Sequence, residues 1–255
     1  MENVLLIQTR VVGALVLRET RTTFGNSQLG YFWAIANPAL GIAVLVGLFS
    51  MIGRVPPYGD SLALFFATGL LTFELYKKLS SSLMGVFDST KGLLAYPLVA
   101  ETDVVLARAL LIFATYIFIM FLFYGTLILF DLASYPRNAD QVLLAVLATS
   151  LLGVGAGLVN AVLMRLWSTW KQIEGILSRP LFFISGIFFI PSAFPPSMVN
   201  LISWNPVLHC VEWVREGYYP NYNSVVLNKP YLLSIALTLL LVGLGAERLY
   251  RKKRI

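Results

Sequence analysis

Six apolar runs fill most of this 255-residue sequence, at about 31–52, 61–83, 104–130, 142–164, 176–190 and 231–249. Several approach the ~20 residues that carry an α-helix across a bilayer. The composition has the same cause: 58% of residues are hydrophobic and 13% charged, whereas a soluble domain is about half apolar and about a quarter charged. The expected fold is an all-α integral membrane protein with six transmembrane helices. A soluble helical protein with a large core would not need so many runs of this length.

The stretch from Arg179 to Tyr222 is the least regular. Its first third is strongly apolar, and Pro191, Pro195 and Pro196 then break it. A run too short to span follows, interrupted by Asn205-Pro206. The next segment carries Leu208, Val211 and Val214 on one side and Glu212, Arg215 and Glu216 on the other. This pattern predicts two short re-entrant helices at the outer face, between the fifth and sixth spans. Broken helices at membrane depth are tolerated only where the backbone is buried in protein or lines a cavity. The stretch therefore predicts a protein that surrounds a path.

The N-terminal segment is apolar over 4–17 but interrupted by Gln8, Arg10 and Gly13. At about 14 residues it suits a helix lying in the interface, with Arg10, Arg18 and Arg21 toward headgroups. It lacks the basic start and small-residue cleavage site of a signal peptide. Residues 1–255 are thus expected to form one transmembrane domain. Its parts are a cytoplasmic interfacial helix (1–30), spans one to five (31–190), the short outer helices (191–230), and a sixth span with a basic tail (231–255). Of the 19 Lys and Arg, 15 fall on one side and 4 on the other, which places both termini in the cytoplasm.

Chemistry is sparse. Gly153, Gly155, Gly157 and Ala161 lack the strand a dinucleotide fingerprint requires and are expected to pack helices closely. Glu101 and Asp103 are expected to cap the third span rather than hold a metal. His209 and Cys210 make no zinc set, and a lone Cys forms no internal disulfide. There is no phosphate-binding G-x-x-x-x-G-K-[ST], no catalytic constellation, and one weak intramembrane coupling candidate, Glu74. A path without an energy source suggests that a partner supplies it. The loop 84–103 carries Val86, Phe87, Leu93, Leu94 and Tyr96. It is either a helix resting on the membrane or a docking element.

Three places carry a resemblance: RETRTTFGNSQLGYFWAIANPAL at 18–40, YPLVAETDVVLARAL at 96–110, and SGIFF at 185–189 followed by NPVLHCVEWVREGYY at 205–219. Together they resemble the membrane subunit of ABC-2-type polysaccharide exporters, most closely the capsular polysaccharide (KpsM-type) permeases. The resemblance covers essentially the whole chain. It implies a bacterial inner-membrane permease without catalytic residues, metal or cofactor of its own. Two copies would pair, each docking one ABC ATPase subunit that binds ATP and Mg. The pair would move a lipid-linked capsular polysaccharide out of the cytoplasm through the dimer, toward any periplasmic or outer-membrane export partner. No nucleic acid is implied. The loop between spans two and three would be the coupling helix, with Val86, Phe87, Leu93 and Leu94 inserted into the ATPase.

A sliding glycan suits aromatic faces, which make few directional bonds. Phe182, Ser185 and Phe189 are expected on one face of the fifth span, lining the path with Tyr31 and Trp33; Trp204 and Tyr218 stand near its outer mouth. Ordinary packing and interfacial anchoring explain the same aromatics. Arg10, Arg18 and Arg21 would meet phosphates of the substrate or of anionic lipid. Related readings are an O-antigen, teichoic-acid, drug or lipid exporter of the same plan. A membrane-embedded lipid transferase would need clustered Asp or His, and a scaffold would not explain the breakers.

Overall fold

The computed structural model describes the backbone of residues 2–24, 28–90, 92 and 100–252, and the side chains of 8–23, 32–90, 92 and 100–249. Tyr31, Leu93, Leu94 and Tyr96, named above, lie outside the described side chains. Among the described residues every regular element is helical. In order these are α1 (Glu2–Phe24), α2 (Gln28–Met51), α3 (Leu62–Met84), α4 (Val86–Ser89), α5 (Glu101–Leu129) and α6 (Ala139–Leu166). Then come α7 (Trp170–Ile184), a 3-10 turn at Pro191–Ala193, α8 (Pro196–Ile202), α9 (Pro206–Tyr218) and α10 (Lys229–Lys252). Four are long and apolar enough to cross a membrane: Phe32–Met51 of α2, Glu101–Leu129, Ala139–Leu166 and Lys229–Leu249 of α10. The helix α3 is as long but carries Glu74, Lys77 and Lys78. The 15-residue α7 spans only about 22 Å of rise.

The bundle is built around α6. Gly153 and Gly157, one turn apart, face α3: a Cβ on Gly157 would sit 2.7 Å from the Leu83 Cβ, and one on Gly153 2.9 Å from the Leu79 Cβ. Gly155 faces α10, where a Cβ would sit 2.9 Å from the Leu240 nitrogen, and Gly243 of α10 meets Leu158 in return. Small residues let helix backbones approach closely where hydrophobic burial gives no preference between neighbour and lipid. The expected packing role of these glycines is what the structure contains.

Local signals explain several helix starts. The Ser61 hydroxyl accepts the Leu64 N–H at 3.2 Å, and the Asn205 side chain accepts the Val207 N–H at 3.0 Å with Pro206 at the first helical position, both ordinary N-caps. Asp103 accepts the Ala100 N–H at 3.1 Å at the start of α5, as expected, while Glu101 pairs with Arg165 at 3.2 Å.

Several expectations are corrected. The N-terminal helix is longer than 4–17 and lies on α5: Leu15 and Glu19 are buried, Glu19 pairs with Arg108, and Gln8 donates to Asp103 at 3.1 Å. The fifth apolar run is not one helix through residue 190. It ends at Ile184, and Gly186 adopts φ 79°, a left-handed conformation that glycine accepts without strain. Phe182, Ser185 and Phe189 therefore share no helical face. Val86 and Phe87 are not presented outward. They sit in a core with Leu15, Leu83, Val104 and Leu158, and Phe87 is 2% exposed beneath the Arg165 guanidinium, 3.8 Å from the ring centroid. Tyr218 is buried too, its hydroxyl donating to the Ser134 carbonyl at 2.9 Å, so it stands at no open mouth.

The side of α9 bearing Glu212 and Arg215 is as buried as its apolar side. Arg215 and Glu212 are both 0% exposed and 3.4 Å apart. Arg215 donates to the carbonyls of Phe189 (3.1 Å) and Ile187 (3.5 Å) and lies 4.0 Å over the Phe65 ring. Glu212 accepts from the hydroxyls of Tyr222 (2.8 Å) and Ser224 (2.7 Å). The pair thus fastens the irregular segment after α7 to α9 and α3.

Candidate functional site

The stripe of α3 that faces α2 and α5 changes character along its length. Leu70 and Phe73 come first, then Glu74, Lys77, Lys78 and Ser81. Positions 74, 77, 78 and 81 fall on one helical face by spacing. These side chains line a cavity of about 410 Å³ closed by residues of α1, α2, α5 and α7. Its apolar wall includes Leu111, Ile112 and Ile119; its polar groups include Thr23, Asn37, Thr115 and Tyr116. Pro38, also on the wall, lacks the N–H that would bond the Ala34 carbonyl one turn back, and Ala34 lines the same space.

Phe182 and Phe73 close one side, ring centroids 5.2 Å apart and edge to face. Beyond them lies an open groove of about 390 Å³, lined by Phe73, Lys77, Ser178, Arg179, Phe182 and Phe183. Phe73, Lys77 and Phe182 line both spaces. The Lys77 ammonium is fixed by α7: it meets Glu174 Oε1 at 2.6 Å and donates to the Ser178 hydroxyl, which itself donates to Glu174 at 2.8 Å. One turn earlier, Trp170 Nε1 donates to Asn160 at 3.1 Å, and Asn160 donates to Ser80 at 3.0 Å. No residue of α7 is fully buried. The helix is held by a stripe of polar contacts ending in an aromatic one. Such an arrangement can take an elongated amphiphile, with an anionic group against Lys78 and, in competition with Glu174, against Lys77, and less polar parts against Leu70, Phe73 and Ile112.

Of the expected path residues whose side chains are described, Phe182 alone lines this cavity and its groove. Trp33 is exposed on α2, edge-on to Phe32 at 5.9 Å, next to but outside the cavity wall. Ser185 is buried and accepts from the Asn205 amide at 3.1 Å. Phe189 is half-buried against Phe194 at 4.8 Å. Trp204 is exposed near the α8–α9 junction, away from the cavity lining. Arg10 and Arg21 are exposed and Arg18 half-buried on α1. Sequence reasoning used Lys77 and Lys78 only for orientation and weighed Glu74 only for ion coupling. The signal that could have found the site was three ionisable residues at i, i+3 and i+4 in an apolar run.

His209, which the sequence excludes from a zinc set, serves to join chain segments. Its Nε2–H donates to the Ser203 carbonyl at 2.8 Å, and its Nδ1 accepts the Asn228 N–H at 3.1 Å. Burial holds this imidazole below its ordinary pKa. Among the described residues, no three His, Cys, Asp or Glu cluster as metal ligands would.

Sequence comparison supplies independent findings. The profile described as ABC-2 type transporter matches residues 10–219. The chain is 32% identical over 246 residues to the polysialic acid transport protein KpsM of Escherichia coli, covering 95% of this chain and 94% of that one. It is 28% identical over 249 residues to the capsule polysaccharide export inner-membrane protein BexB of Haemophilus influenzae, at 97% and 94% coverage. The corresponding protein CtrC of Neisseria meningitidis is 27% identical over 248 residues, at the same coverage.

Proposed function

This chain belongs to the ABC-2 type transporter family, and from that premise we propose that it is the permease subunit of an ATP-driven exporter that moves a lipid-linked capsular polysaccharide outward across the inner membrane. The observation that carries this reading is the amphipathic cavity along α3, joined past Phe182 to an open groove. A lipid-linked glycan has an anionic junction between an apolar anchor and a hydroxyl-rich chain. The graded stripe from Leu70 to Lys78 matches that order.

In this reading the chain crosses the membrane six times, with both termini in the cytoplasm. The charged end of α3 lies at the cytoplasmic face, and α7 with residues 185–190 makes the fifth crossing. The helices α8 and α9 re-enter from the outer face. Two copies pair, and each docks one ABC ATPase, which binds ATP and Mg. The burial of Val86 and Phe87 moves the docking surface off those two side chains. They become the internal support of α4, and Arg108 ties that helix to α1 and α3 through Glu19, Ser89 Oγ at 3.0 Å and the Ser82 carbonyl at 3.2 Å. Force on α4 would reach α1, α3 and α5 through these contacts.

The test is deletion of this chain in its host. Surface polysaccharide should disappear and lipid-linked polysaccharide should accumulate inside the cell, with both restored by the wild-type chain and not by Lys77→Glu/Lys78→Glu. Normal surface polysaccharide in the deletion strain overturns the reading.

A further inference from the structure

A third space, of about 360 Å³, lies where the α8–α9 junction meets the start of α10. Its lining includes Asn200, Ser203, Trp204, His209, Asn228 and Tyr231, and no Lys, Arg, Asp or Glu. Trp204 is 76% exposed, so one large indole face is open to a ligand. The side-chain amide of Asn200 is exposed on α8, and its main-chain carbonyl accepts from the Ser203 hydroxyl at 2.8 Å. The Asn228 side-chain oxygen accepts the Tyr231 N–H at 3.0 Å, which leaves its NH₂ as a donor.

The walls are fixed. Tyr231 Oη donates to the Trp204 carbonyl at 2.9 Å, and His209 bridges Ser203 to Asn228 through both ring nitrogens. The His209 and Tyr231 rings pack 5.1 Å apart. These hydrogen bonds hold the backbone that carries Trp204, together with the Asn228 side chain, in one arrangement before any ligand arrives, which lowers the ordering cost of binding.

From this geometry we infer that the pocket at Trp204 is a subsite for a single uncharged sugar ring of the exported chain, resting on the proposed export of a polysaccharide. A pyranose offers a C–H face to an indole and hydroxyls to amides on either side. The neutral lining disfavours a phosphate or an anionic headgroup, which would call for Lys or Arg. With its broad opening and few directional bonds, the subsite would hold one ring briefly and release it to the next, biasing a chain that has reached the outer side against slipping back.

The experiment is hydroxyl-radical oxidation of the purified full-length protein, read at each tryptophan by mass spectrometry. The probe is a lipid-free oligosaccharide cut from the host strain's own surface polysaccharide. Trp33 and Trp167, both exposed elsewhere on the chain, serve as internal references. The expected result is several-fold slower oxidation at Trp204 with the sugar present, unchanged rates at Trp33 and Trp167, and loss of most of that protection in Asn200→Ala. An unchanged Trp204 rate overturns the subsite. So does equal slowing at all three tryptophans, and so does protection conferred by lipid nanodiscs alone and not increased by sugar. The probe carries no lipid and no ATPase is present, so the outcome is independent of the deletion test. Trp204 unprotected in a chain that passes that test leaves the exporter without this subsite. Trp204 protected in a chain that fails it leaves a sugar pocket on a protein of another task.

Discussion

Lys77 of α3 and Glu174 of α7 meet at 2.6 Å, joining a helix buried along most of its length to one with no fully buried residue. The pair sits at the wall shared by the cavity and the groove, so α7 is pinned beside both spaces. Both side chains are partly screened, at 29% and 13% exposure, which moderates the strength of the contact.

Lys77→Ala and Glu174→Ala are each expected to loosen α7, by about 1–3 kcal/mol for a charge-assisted hydrogen bond. The double variant should cost less than the sum of the two. Thermal unfolding of the purified variants measures the coupling, and strict additivity would show that the contact contributes nothing.

Gly157→Val should prevent the approach of α6 to α3, since its Cβ alone would stand 2.7 Å from the Leu83 Cβ. Overpacking of this kind costs about 1–3 kcal/mol or more, so the variant should be recovered from membranes in much reduced amount. Gly125→Ala on α5, where a Cβ meets nothing within 4 Å, should be recovered like the wild type.

Arg215→Met leaves the Glu212 carboxylate buried without its cation. Removing one partner of a buried pair costs about 3–5 kcal/mol. The combined Glu212→Gln/Arg215→Met variant should recover part of that loss, because no uncompensated charge remains. Melting temperatures in one detergent decide it; a double variant less stable than Arg215→Met would refute the account.

Phe87→Asp should destabilise the permease itself. The ring lies in the core beneath Arg165, and loss of a buried aromatic costs about 3–5 kcal/mol. Immunoblots of membranes should show depleted protein, with Phe87→Leu near normal. Normal levels of Phe87→Asp with export abolished would restore an outward, docking role for this side chain.

Cysteine labelling can separate the two sides of α7 in a background lacking the buried Cys210. Phe183→Cys, which lines the open groove with Lys77 and Arg179, should react with a small water-soluble thiol reagent in the resting protein, and the buried Ser185→Cys, just past the end of α7, should resist. Phe182→Cys should gain reactivity during transport as the partition between cavity and groove opens. Equal reactivity at 182 with and without ATP would remove that partition from the path.

The sequence by itself determined that the chain is helical and in what order its apolar runs follow one another. Apolar runs, the Ser61 and Asn205 caps and the paired prolines are local signals, and each acts on the backbone within a few residues. The spacing of Gly153, Gly155 and Gly157 likewise announced close packing, because nothing but a neighbouring backbone needs that absence of side chain. The end of α7 at Ile184 was legible only in the juxtaposition of Ser185 and Gly186, which the apolar run around them concealed.

Tertiary structure alone decided which side chains face protein and which do not. In water, apolar periodicity marks the buried face of a helix, but lipid is as apolar as a protein core. Phe87 and Phe183 therefore read alike in the sequence, although one is in the core and the other on the surface. The burial of Glu212 and Arg215 was equally hidden, since their partners come from residues 187–189 and 222–224 and from Phe65 on α3. The cavity along α3 has the same origin: its charged stripe is local, but its walls come from four other helices that the chain brings together only on folding.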